Sequence, residues 1–293
     1  MAVKIAFSGH ESFICKQFWL KKVFDFAESN KRFNEEAAVV NLGVGKNMVA
    51  SLRYWGRAFG VLDDNDVVSP LAKFIFGRNG KDPFLEDFGT IWLLHYNLVK
   101  TNKASIYNFI FNEFRKERVD FTKDQVHGFL KRKCEEISSS TYNANTITTD
   151  INVFLRNYVK PHRDDKIDVE DDFSGIMIDL DIVKAYKQRT DQGMITRYKI
   201  EAQERRDLPV EIILYAILDN YNSQRSISFR ELLTGFDSPG AIFTLTADSL
   251  YNKIELLTDK YEQIVYTETA GNQVVQIKGN LQKQTILNEY YQG

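Results

Sequence analysis

Apolar residues recur every third or fourth position along most of this chain, the spacing of a helix that buries one face. The periodicity predicts a helix over about 15–26, after a short apolar strand-like stretch and the loop Phe7-Ser-Gly-His-Glu-Ser-Phe13. A helix, turn, helix pattern follows over 34–62. Asn34 is a plausible N-cap, with Glu35 and Glu36 in the first turn, where the helix dipole favours acids. Gly43-Val-Gly45 makes the break, and the next helix runs over about 46–59 with Gly60 as its stop. Further helices are predicted over 67–78 and 84–118, the second set rich in aromatic residues large enough to fill a core. Helix, break, helix recurs over 122–160 and ends at Pro161.

The segment 162–181 loses this periodicity and reads as a loop with short strands. Beyond it the pattern returns a third time. Pro209 starts a helix running to about Tyr221, a short helix covers 229–233, and a third spans about 242–258. Alternating runs over 263–269 and 273–278 are joined by Ala270-Gly-Asn272, a suitable hairpin turn. Three helices and a two-stranded hairpin make a winged helix. The expected fold is therefore mainly α with small β-hairpins, in tandem winged-helix or helix-turn-helix-like modules. The expected domains are a helix-turn-helix-like module over 1–100, a second helical module over 101–161, an acidic linker over 162–206 and a winged-helix-like module over 207–293.

Composition narrows the function without naming it. The chain has 293 residues, 43% of them hydrophobic and 27% charged, as a soluble globular protein does. No apolar run approaches the roughly 18 residues of a membrane span, and the N-terminus turns polar too early for a signal peptide. The cytoplasm is the expected location. Cys15 and Cys134 lie far apart with no CxxC spacing, which argues against a disulfide framework or a cysteine zinc site. The net charge of −2 hides an uneven distribution: 100–133 carries nine Lys or Arg against four acids, and 160–181 carries eight acids against three bases. A local basic surface can bind phosphate on a protein that is neutral overall.

Two helix faces have the composition that DNA contact requires. Around the axis of the 46–59 helix, Met48, Leu52, Trp55 and Phe59 share the core side. Lys46, Asn47, Ala50, Arg53, Tyr54 and Arg57 fall opposite. Arg and Asn can read base edges, Lys and Tyr can hold phosphates, and Ala permits close approach. In the 145–158 helix, Ile147, Ile151, Leu155 and Tyr158 point inward, while Asn145, Thr149, Asn152 and Arg156 face out without an acid among them. An ordinary solvated face has the same composition, so both are DNA-binding candidates only. In the third module Phe243, Leu250, Ile254 and Leu257 point inward, and Thr244, Asp248, Tyr251, Asn252 and Glu255 face out. Acids there would repel phosphate, which suits protein contact or a homodimer through the C-terminal module.

Catalytic signals are weaker. Gly43-Val-Gly-Lys-Asn47 fails as a phosphate-binding loop, because Val40 stands where a glycine is needed and Asn47 where Ser or Thr is needed. The histidines form no zinc spacing, and His95 and His127 read as core or boundary residues. His10 beside Glu11 could shuttle a proton or ligate a metal, or the turn could simply tie down the N-terminus. Asp164, Asp165 and Asp168 in the acidic segment are candidates for holding Mg²⁺, against the plainer reading of a solvated linker.

Phe7-Ser-Gly-His-Glu-Ser-Phe13, Trp19-Leu-Lys-Lys22, Leu42-Gly-Val-Gly-Lys-Asn-Met48 and Phe111-Asn-Glu-Phe-Arg-Lys-Glu-Arg118 together resemble an uncharacterised-domain family of bacterial DNA phosphorothioation operons, that of the SspB component of the Ssp system. The resemblance spans nearly the whole chain. It implies double-stranded DNA binding, nicking of one strand so that sulfur can replace a non-bridging phosphate oxygen, and partnership with sulfur-transfer and ATPase proteins. It also implies Mg²⁺ if the chain nicks. A DNA-binding adaptor without catalysis, or a regulator-like protein, are the alternatives. Family members usually carry Thr where Ser12 stands and Arg where Lys16 stands. If Arg there contacts a phosphate, its bidentate geometry is lost here.

Overall fold

The computed structural model describes residues 5–137, 143–160, 175–191, 193–222 and 224–292. Among these, helix predominates, and strand is confined to two antiparallel sheets of three strands each. The fold is thus mainly α with small β-hairpins. The chain divides into two compact units, Met1–Ile200 and Glu201–Gly293.

The first unit contains α1 (Trp19–Glu28), α2 (Ala37–Leu42), α3 (Lys46–Ala58), α4 (Pro70–Phe76), α5 (Phe88–Lys100), α6 (Ser105–Phe109), α7 (Arg115–Glu117), α8 (Lys123–Ile137) and α9 (Ala144–Tyr158). A single π-helical turn, Ile110–Phe114, joins α6 to α7. Local chemistry fixes the ends. Gly43 takes a left-handed φ of 65° and stops α2. Asn143 Oδ1 accepts the N–H groups of Asn145 at 3.0 Å and Thr146 at 3.1 Å and starts α9. Where the pattern predicts a helix from Cys15, α1 begins only at Trp19, and the Cys15 N–H donates instead to Asn157 Oδ1 at 3.1 Å. The expected cap at Asn34 is likewise displaced, with α2 starting at Ala37.

Aromatic side chains fill this unit. Trp55, Trp92, Tyr96, Tyr107, Phe111, Phe114, Phe121, Phe129, Phe154 and Tyr158 are all buried. Its sheet has the order β1 (Asp120–Phe121), β3 (Gly193–Lys199), β2 (Lys184–Thr190). The β2–β3 hairpin pairs Lys184 with Lys199 through Thr190 with Gly193. The other edge of β3 receives β1, with Asp120 opposite Lys199 and Phe121 opposite Tyr198.

The second unit runs α10 (Val210–Asn220), β4 (Ser226–Ser228), α11 (Phe229–Thr234), α12 (Pro239–Ile242), α13 (Ala247–Lys260), β5 (Ile264–Thr269), β6 (Asn272–Ile277) and α14 (Lys283–Tyr290), with sheet order β4-β6-β5. The helix predicted from Ile242 is two helices. Thr244 has a left-handed φ of 53°, and its buried hydroxyl accepts from Arg205 Nη2 at 2.7 Å, so it does not face out. The long helix starts afresh beyond Thr246, which caps it through Ser249 N at 3.1 Å.

Candidate functional site

α3 is the natural place to begin, because its two faces are so unlike. Leu52, Trp55, Ala58 and Phe59 are buried. Lys46, Ala50, Arg53, Tyr54 and Arg57 of α3 line an open cleft of about 910 Å³, whose lining also includes Gly9, Glu11, Glu35, Glu36 and Val40. Asn47 is exposed on the first turn. The cleft is of mixed charge.

The two arginines are not loose. Arg53 Nη2 lies 2.7 Å from Asp66 Oδ2, and Arg57 Nη2 lies 2.7 Å from Asp66 Oδ1. Arg57 also donates to the Asp64 carbonyl at 2.8 Å. One carboxylate, carried on a turn where Asp66 has a φ of 63°, therefore gathers two guanidinium groups and leaves a net positive charge. Tyr54 departs from the helical-wheel expectation. Its residue is half-buried, and its hydroxyl oxygen is enclosed with no hydrogen-bond partner among the described residues. Burial, helped by the charge of Asp150, pushes that phenol far above the usual tyrosine range. The hydroxyl is thus turned inward, while the residue still lines the same cleft as Lys46, Arg53 and Arg57.

On α9 the predicted inward residues Ile147, Ile151, Leu155 and Tyr158 are buried. Asn145 and Arg156 are exposed, and Thr149 and Asn152 are half-exposed. Thr149 turns its hydroxyl back to the Asn145 carbonyl at 2.9 Å, and Asn152 Oδ1 accepts from Lys123 Nζ at 2.7 Å. The periodicity gives no reason to single out Asp150, yet it is a buried acid on this helix. It is 2% exposed, and its two oxygens lie 3.2 and 3.0 Å from the Ser8 backbone N–H.

The loop carrying Ser8 passes between α3 and α9 and joins the two helices that the sequence singles out separately. Gly9 packs so closely that a Cβ there would lie 2.6 Å from Tyr54 Cδ2. His10 is 3% exposed. Its ring stacks on Trp55, with centroids 6.2 Å apart and planes 20° apart. The Ser12 N–H donates to His10 Nδ1 at 3.1 Å, so Nδ1 is an unprotonated acceptor. Nε2 lies 3.4 Å from Asp150 Oδ2, close enough for attraction but without hydrogen-bond alignment. Both imidazole nitrogens are thus enclosed, Nδ1 accepting from the loop's own backbone and Nε2 facing Asp150. Glu11 is exposed at the cleft. Arg156 Nη1 lies 3.4 Å from the Ser12 carbonyl on the far side of the loop.

Behind the loop the polar contacts continue into the core. Asn157 accepts from Cys15 N and donates to Tyr107 Oη at 2.7 Å. His95 Nδ1 and Tyr158 Oη are 2.8 Å apart, which satisfies His95 as a core residue. Asp164, Asp165 and Asp168 lie outside the described residues. Among the described residues no three His, Cys, Asp or Glu side chains are grouped so as to hold a metal ion. No helix among them is long and apolar enough to cross a membrane.

Comparison with known proteins bears on the whole chain. No curated protein matches it. A crystal structure of magnesium ion-bound SspB superposes with a TM-score of 0.86 at 25% identity, covering 99% of this chain and 89% of that one. A second SspB crystal structure gives a TM-score of 0.85 at the same identity and coverage. The resemblance to SspB drawn from the sequence motifs therefore holds at the level of the fold. The model of the DUF4007 family, described as a protein of unknown function, matches residues 7–291, and this chain belongs to that family.

Proposed function

We propose that this chain is a double-stranded DNA-binding component of a bacterial DNA phosphorothioation system, and that it nicks one strand to admit sulfur. The observation that carries the DNA reading is the placement of one loop, residues 8–12, between two helices whose cations flank it: exposed Lys46 and half-buried Arg53 and Arg57 on α3, and exposed Arg156 on α9. Cations so placed can follow a phosphate backbone without reading sequence. Asn47, Asn145, Thr149 and Asn152 supply neutral polar contacts on the same two helices. The full-length likeness to SspB supports the phosphorothioation setting, a cytoplasmic location, and sulfur-transfer and ATPase proteins as partners.

The second unit, in the order helix, strand, helix, helix, helix, strand, strand, helix, is read as winged-helix-like. Its α13 turns Asp248, Glu255 and Asp259 outward. That acidic face disfavours phosphate and suits protein contact, including a homodimer through this unit. In this reading the modules are 1–100, 101–161, 162–206 and 207–293.

Magnesium is the expected cofactor of a nicking reaction. Among the described residues no three His, Cys, Asp or Glu side chains form a set that fits it. Of the candidate acid–base residues, Glu11 reaches the cleft and His10 does not. The enclosure of His10 favours a second reading, in which the chain binds DNA and recruits the modification enzymes without cutting. Incubation with supercoiled plasmid, with Mg²⁺ and with EDTA, separates the two. Relaxed circles that appear only with Mg²⁺ support nicking. Persistent supercoiling together with a mobility shift supports the adaptor, and no shift at low salt refutes both.

A further inference from the structure

Asp150 is buried at a price in solvation that its partners must offset, since a carboxylate leaves water only when it is hydrogen-bonded or paired. Its hydrogen-bond donor among the described residues is the Ser8 N–H, and His10 Nε2 stands 3.4 Å away. Both belong to the loop. That loop is built from unfavourable backbone. Ser8, Gly9, Glu11 and Ser12 have φ values of 69°, 94°, 48° and 65°, the left-handed region that residues with a Cβ enter at a cost. Such conformations persist only where the surroundings over-determine them, and they gather at functional sites. Here the surroundings are two: the Asp150 carboxylate from α9, and the aromatic surface of α3, against which Gly9 meets Tyr54 and His10 lies flat on Trp55. Glu11, exposed on this loop, lines the same cleft as the cations of α3.

We infer that Asp150 is the positioning residue of this cleft: its carboxylate holds residues 8–12 in their left-handed conformations against α3, and so sets where Glu11 stands relative to the α3 cations and a phosphodiester bound on them. The inference deepens the DNA reading above and rests on it for the ligand, whereas the holding of the loop can be measured without DNA.

The test uses the full chain as wild type, Asp150→Asn and Gly9→Ala. The first variant keeps the shape and removes the charge. The second perturbs the loop from the α3 side and leaves α9 untouched, so it keeps the inference testable if Asp150→Asn misfolds. Amide exchange of the Ser8 N–H should quicken at least about tenfold in both, while the α5 and α9 amides stay protected. Binding of a short labelled duplex at fixed salt should weaken on the order of tenfold in both, with an unchanged salt slope because no phosphate contact is removed. The sign is diagnostic, because removing a negative charge near phosphate would by itself tighten binding. Unchanged Ser8 exchange overturns the inference. So does lost protection with affinity that is equal or higher. A wild-type chain that shifts no duplex refutes the DNA reading instead, and it does so before either variant is compared.

Discussion

Arg53 lays its guanidinium along Asp66, with Nε 2.9 Å from one oxygen and Nη2 2.7 Å from the same oxygen. Arg57, one turn further along α3, takes the other oxygen. The pair of cations is thus already partly neutralised before any ligand arrives, whereas Lys46 is paired with no acid among the described residues.

This sharing predicts unequal effects on DNA binding. Lys46→Ala should lower the slope of log affinity against log salt by about 1. Arg53→Ala with Arg57→Ala should lower it by less than about 2, because Asp66 is left behind. Asp66→Asn should strengthen binding at low salt. Filter binding over a salt series checks all three, and slopes that ignore all of these changes would remove α3 from the interface.

The enclosed Tyr54 hydroxyl has no partner among the described residues, so it contributes desolvation cost and no bond. Tyr54→Phe should leave thermal stability unchanged or raise it by up to about 1 kcal/mol. Thermal unfolding followed by circular dichroism decides. A clear loss of stability would mean that the hydroxyl has a partner in solution.

Asn157 behaves oppositely. Its side chain satisfies Cys15 N and Tyr107 Oη, both buried. Asn157→Leu would strand both groups and should cost about 2–4 kcal/mol in urea unfolding. A change under 1 kcal/mol would show that water replaces the amide.

Asp120 supplies a pH dependence. Burial pushes its carboxyl up, but hydrogen bonds from Tyr186 and Arg197 and the Arg197 charge outweigh that and hold it below the usual carboxylate range. A group with a lowered folded pKa contributes stability above its unfolded value, near about 4 for Asp, and loses it as pH falls through the folded value. Asp120→Asn should therefore flatten the stability curve on the acid side below about pH 4 and leave its shape near neutrality unchanged. An unaltered acid limb would contradict the pairing.

Much of the helical framework was readable from periodicity, because each of the long helices presents a continuous apolar stripe. Ile147, Ile151, Leu155 and Tyr158 illustrate this on α9. What periodicity missed depends on partners distant in the chain. Asp150 sits beside Thr149 and Ile151 with nothing local to mark it, and its role appears only when Ser8 arrives. Tyr54 lies at the boundary of the helical wheel, and the absence of a side chain on Gly9 is what lets the loop cover it. Arg53 and Arg57 looked like free cations because Asp66 lies beyond the helix end. The β2 sequence Lys-Ala-Tyr-Lys-Gln-Arg-Thr lacks apolar alternation because the strand is largely exposed, and β1 is two residues long. Neither could announce a sheet.

The order of the strands in that sheet has a consequence for how the chain matures on the ribosome. β1 is made early, but its hydrogen-bonding neighbour β3 ends at Lys199, and the Ile200 N–H donates to the Val119 carbonyl at 2.8 Å. The helices around Phe121 can therefore gather during synthesis while one backbone edge stays unsatisfied until some eighty further residues, counting from Asp120 to Ile200, have emerged. A nascent chain stalled short of that point would carry an open strand edge available to other polypeptides.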